Sequence, residues 1–146
     1  MSRILAREAV FSALFQLDFN HGEIDEHEIC EEIAIDSALE TIDEIKEQGV
    51  LTKKNIRYVN ETVKNIMARL EEIDAIIKSR LKENWTLSRL AAADRNILRL
   101  AVYELKFAED KDSAGVVINE AVKLAKKYGT DDSGSFVNGV LSAISD

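Results

Sequence analysis

The first side chains to test for chemistry are His21, His27 and Cys30, three metal-binding types set among carboxylates within ten residues. A structural zinc site needs four ligands at tight spacing, usually with more sulfur, so this set is incomplete and predicts no metal. No third histidine exists, and no HExxH, GxSxG or phosphate-loop pattern occurs. Asp132-Ser133-Gly134 offers a hydroxyl beside a carboxylate, but its place just after Thr130 reads as helix-start chemistry. Carboxylates are plentiful without an acid/base couple standing out. These patterns predict neither an enzyme nor a cofactor.

The cations are more informative. Arg3 and Arg7 are four apart, on one face of a helix, and Arg95 and Arg99 repeat that spacing. Asn119, Lys123, Lys126 and Lys127 share one side of another helix. Alone, each group reads as a solvated face. Converging, they would suit a phosphate backbone, because every neutralised phosphate releases counterions. Tyr128 and Phe136 flank a short helix–helix turn where an aromatic can stack on an unpaired base, although Phe136 also suits a core.

The net charge of -8 argues against such a role for the chain as a whole. Residues 18–50, however, hold twelve acids and one base, which leaves the other 113 residues at +3. The acidity is segmental, read as a solvated acidic helix face, and does not exclude a basic face elsewhere.

The elements that must position these residues are helical. The chain has no proline and six glycines, and apolar residues recur at helical spacing almost throughout. The first helix is predicted over 2–19 with Ile4, Val10, Ala13, Leu14 and Leu17 inward, ended by Asn20-His21-Gly22. Asp25 and Glu28 form a capping-box pattern for an acidic second helix that buries Ile29, Ile33, Leu39, Ile42 and Ile45 and ends at Gly49. Thr52 caps a helix reaching about residue 82, with a break near Glu71-Glu72. Ile56, Val59, Val63, Ile66, Leu70, Ile73 and Ile77 form a stripe along it. The stripe reads as bundle packing and leaves room for a homodimer.

Residues 97–105 are apolar on most sides, as in a central helix, with Ile97, Leu98, Ala101, Val102 and Leu105 buried. Asp112 or Ser113 opens a sixth helix with Val117, Ala121, Leu124 and Tyr128 on one face, and Gly129 closes it. A last helix from Thr130 presents Phe136, Val137, Val140, Leu141 and Ile144. Gly139 lies inside it, where glycine predicts a close helix backbone. The expected fold is all-α, a compact bundle of six to seven helices forming a single domain over 1–146. No apolar run spans a membrane, charges occupy the place of a signal peptide's apolar centre, and Cys30 is the only cysteine. A reducing, cytoplasmic setting is expected.

Residues 95–105 (Arg-Asn-Ile-Leu-Arg-Leu-Ala-Val-Tyr-Glu-Leu) resemble the signature of the NusB family. So do 118–130, with Asn119-Glu120-Ala121, and 131–141, with Phe136-Val137-Asn138-Gly139 in register. The resemblance is strong over 85–144, fair over 3–17 and weak between. It implies two small helical halves and a transcription antitermination factor. Such a factor binds boxA RNA of nascent ribosomal transcripts with NusE, a small-subunit ribosomal protein, and helps RNA polymerase resist termination. By position it implies RNA contacts for Arg3, Arg7, Arg99, Tyr128, Asp132 and Phe136, with Asp132 accepting from a base or ribose hydroxyl. The family's opening motif is often denser in arginine, so reliance on a partner is expected. Ser113 stands where relatives often carry proline. The same fold also opens some ribosomal RNA methyltransferases, which need a glycine-rich α/β cofactor domain that these 146 residues lack. The competing reading is a helical protein–protein adaptor or homodimer without RNA contact, which the acidic segment favours.

Overall fold

The computed structural model describes residues 3–19, 27–46, 53–109 and 112–145. Among them are seven α-helices and no strand: α1 (Arg3–Phe19), α2 (His27–Lys46), α3 (Lys53–Ala68), α4 (Leu70–Lys78), α5 (Ala92–Lys106), α6 (Ala114–Tyr128) and α7 (Ser133–Ser145). A 3-10 turn, Leu87–Arg89, precedes α5. The all-helical expectation holds. The chain forms two compact units, Met1–Ala68 and Arg69–Asp146, as the family resemblance implied. The stop at Asn20-His21-Gly22, the Asp25–Glu28 box, Gly49 and the Thr52 cap lie outside the described residues. So do the side chains of His27, Ile29, Cys30, Ile42 and Ile45.

In the first unit α1 packs on α2 and α3. Its buried side is Ala6, Ala9, Val10, Ala13, Leu14 and Leu17, matched on α2 by Ala34, Ile35 and Ala38. Alanines on both helices let their axes approach closely. Ile4 and Ile33 are exposed, against expectation. At about 100° per residue, Ile4 lies roughly 160° round the helix from Ala6, so it cannot share that face. On α3, Val59, Val63 and Ile66 are buried while Ile56 projects outward.

The predicted long helix breaks at Arg69, slightly before Glu71-Glu72. Its stripe is thereby divided between the units, and Val59, Val63, Ile66, Ile73 and Ile77 are each fully buried within this one chain. Those five side chains leave no apolar seam for a second copy.

In the second unit α5 touches α4, α6 and α7, the central position its composition predicted. Ile97, Leu98, Leu100, Ala101 and Val102 are buried, whereas Leu105, near the helix end, is half-buried. The same helix buries Asn96, whose Nδ2 donates to the Ala92 carbonyl at 2.8 Å. Ser113 caps α6 as expected, its Oγ accepting from the Val116 amide at 3.3 Å. The last helix begins at Ser133, later than Thr130, because Thr130 belongs to the turn: its amide donates to Ser133 Oγ at 2.9 Å.

Two glycines contrast. A Cβ at Gly129 would collide with Ser133 Oγ and lie 2.8 Å from the Ala125 carbonyl oxygen, so the turn requires glycine. Around Gly139 nothing lies within 4 Å of such a Cβ, which overturns the expected close backbone. Gly139→Ala should therefore stabilise by up to about 1 kcal/mol, and Gly129→Ala should cost about 1–3 kcal/mol through overlap. Equilibrium denaturation of both variants tests the contrast, and a destabilised Gly139→Ala would contradict it. Leu98→Ala should lose about 2–5 kcal/mol in the same assay, and a loss under about half a kcal/mol would refute its central place.

Candidate nucleic-acid interface

The sequence-predicted arginines each have a partner inside their own unit. Arg3, at the start of α1, holds its guanidinium 4.0 Å above the Tyr58 ring of α3, a cation–π contact. Arg7 is 4% exposed and held by interactions within the protein, so it is not the solvated arginine that its spacing predicted.

Arg99 makes a two-pronged ion pair from α5 to α4: Nε to Asp74 Oδ1 at 2.9 Å and Nη2 to Asp74 Oδ2 at 3.0 Å. Its Nη1 donates to Asn96 Oδ1 at 3.1 Å, and its side chain is 11% exposed. Arg95 Nη1 donates to the carbonyls of Leu87 and Leu90 at 2.9 and 3.0 Å, pinning the segment that leads into α5. The spacing of Arg95 and Arg99 marked two structural clamps.

That pinned segment forms one wall of a groove of about 620 Å³; the starts of α5 and α7 complete it. Asp132 and Phe136 line it, so two predicted residues do meet there. Facing them are residues the sequence reading missed: Arg80, Lys82, Trp85 and Arg89. Trp85 is 48% exposed, where its indole gains little from folding and is open to a flat partner. Phe136 is half-buried. Three cations against Asp94 and Asp132 make the groove locally basic in an acidic chain. Asp94, which lines the groove, has its Oδ1 buried with no hydrogen-bond partner.

Tyr128 is exposed and lies outside that groove, with Lys127 Nζ 5.2 Å from its ring centre. A readable signal for the groove was present: three cations interleaved with the single tryptophan over residues 80–89. It was obscured by assigning residues up to 82 to the preceding helix.

The NusB family model matches residues 5–146. The chain belongs to the NusB family. Transcription antitermination protein NusB of Bdellovibrio bacteriovorus is 38% identical over 143 residues, spanning 98% of this chain and 94% of that protein. The protein of that name from Agathobacter rectalis is 41% identical over 142 residues, spanning 97% and 98%. Among solved structures, T. maritima NusB superposes with a TM-score of 0.79 at 40% identity, covering 99% of this chain and 91% of that one. A chain from the complex of antitermination factors NusB and NusE with dsRNA gives 0.74 at 34% identity, covering 98% and 95%.

Within this NusB-family chain, Arg3 precedes the span matched by the family model, whereas Arg7, Arg99, Tyr128, Asp132 and Phe136 fall inside it. The Arg99–Asp74 pair is accessible to direct measurement. A double-mutant cycle with Arg99→Ala and Asp74→Ala should give a coupling energy of about 0.5–3 kcal/mol in stability. A coupling indistinguishable from zero would show that the pair does not fasten α4 to α5.

Proposed function

We propose that this chain is a transcription antitermination factor that binds boxA RNA of nascent ribosomal transcripts together with NusE and helps RNA polymerase resist termination. The role is non-catalytic. The observation that carries it is the basic, aromatic groove of the second unit, in a chain whose relatives are named transcription antitermination proteins. A structural relative at 34% identity is a NusB crystallised with NusE and RNA.

In this reading Phe136 and Trp85 stack on unpaired bases, and Arg80, Lys82 and Arg89 neutralise phosphates. Asp132 accepts from a base amino group or a ribose hydroxyl. Tyr128 offers a further stacking surface, and Arg3 meets the backbone from the first unit. Arg99 serves the groove indirectly, by fastening α4 to α5, and Arg7 is buried within the first unit. The two units act together as one RNA-binding domain. No helix among the described residues is long and apolar enough to cross a membrane, and a protein acting on nascent transcripts works in the cytoplasm.

Fluorescently labelled boxA RNA titrated with this chain, with and without NusE, at several salt concentrations tests the proposal. Trp85→Ala and Phe136→Ala should each weaken binding by about 1–3 kcal/mol with an unchanged salt slope. Arg3→Ala should flatten the slope by about 0.7. Because Phe136 is half-buried, each variant is first shown by circular dichroism to be folded. Unchanged RNA affinity in both aromatic variants would refute the groove, and NusE binding without any RNA binding would favour the adaptor reading.

A further inference from the structure

A second concave surface lies between α6 and α7, with a volume of about 520 Å³. Its polar lining is Asn119 and Lys126 from α6 and Ser135, Asn138 and Ser142 from α7, and it contains no Asp or Glu. Such a lining is notable in a chain with 27 acids. The side chains of Asn119, Lys126, Ser135 and Asn138 make no hydrogen bond or ion pair with any described residue. Asn119, Lys126 and Asn138 are exposed. Gly134 fits beneath Lys126: even a Cβ there would come only 3.4 Å from Lys126 Cγ, so the aliphatic stem of the lysine lies along the start of α7. Ser135 lines both this surface and the Asp132–Phe136 groove, so the two adjoin at that residue on the first turn of α7.

We infer that the α6–α7 surface is a second RNA subsite, carrying the same strand onward from the Asp132–Phe136 groove; this rests on the RNA-binding reading above. The chemistry favours sugar and phosphate over a stacked base. The polar lining offers no aromatic ring, Lys126 supplies a point charge for a phosphate, and the amides of Asn119 and Asn138 each carry a donor and an acceptor. A ribose 2′-hydroxyl is both donor and acceptor, so paired amides discriminate RNA from DNA where a lysine alone would not.

The test uses the full chain with NusE and a series of single-stranded RNAs, from the minimal boxA element to versions lengthened at either end. Affinity should step up once an extension reaches the second subsite. Lys126→Ala should abolish that step and flatten the salt slope by about 0.7 on the long RNA, leaving the short RNA unaffected. Asn119→Ala with Asn138→Ala should lower long-RNA affinity by about tenfold, as expected for losing one or two hydrogen bonds. Deoxyribose in the extension should cost the parent protein affinity and cost the double asparagine variant nothing further. All three positions are exposed, and thermal melting confirms that each variant is folded. If the variants bind long RNA with parental affinity and slope while Phe136→Ala still weakens binding, the second subsite is wrong and the first groove stands. If RNA of no length is bound, both readings fall together.

Discussion

A helix enclosed by three others has to find partners for the polar groups it buries, and α5 does so at Arg95, Asn96 and Arg99. Two of the solutions tie α5 to other segments. Asn96 turns back to the Ala92 carbonyl and accepts from Arg99, Arg99 grips Asp74 on α4, and Arg95 holds two carbonyls of the preceding segment. The polar groups of a central helix therefore become clamps that fix its surroundings. The Arg95 contacts fasten the end of the stretch carrying Arg80, Lys82, Trp85 and Arg89 to α5, adding to the backbone hydrogen bonds that turn it. The ion pair itself is not where most of the stability arises; packing of Ile97, Leu98 and Val102 is. Its value is geometric.

The same economy operates at the turn between α6 and α7. The Ser133 side chain occupies the space a Gly129 Cβ would need and accepts from the Thr130 amide, while the Phe136 amide donates to the Asp132 carbonyl at 3.1 Å. This closes the connection tightly and brings Asp132 and Phe136 onto the groove. The Ser133 hydroxyl, set beside a carboxylate in the sequence, is committed to the turn. Gly129 has φ of -98°, so its glycine answers to crowding and not to a left-handed backbone.

Electrostatics in this chain is local. At physiological ionic strength charges separated by more than about 8 Å are largely screened. The acids of residues 18–50 belong to the first unit, whereas the groove and the α6–α7 surface of the second unit carry their own excess of cations. A net charge of -8 thus says little about what either surface accepts.

The amino-acid sequence by itself determined the helical class, most of the helices, the Ser113 cap and the core of α5, because periodicity and capping are properties of neighbours along the chain. It also carried the family, through contiguous motifs over 95–105 and 118–141. It could not decide which apolar residues would lack a partner, and Ile4, Ile33 and Ile56 were misjudged because a stripe has edges that only a neighbouring helix defines. Nor could it separate a solvated arginine from a structural one. Arg7 and Arg99 have the spacing of a basic face, yet one is buried and the other is claimed by Asp74, 25 residues away. The groove needed three separate segments to converge, at 80–91, 94 and 130–140. Convergence of distant segments is a tertiary property, set by which faces α5 buries and which carbonyls its arginines reach.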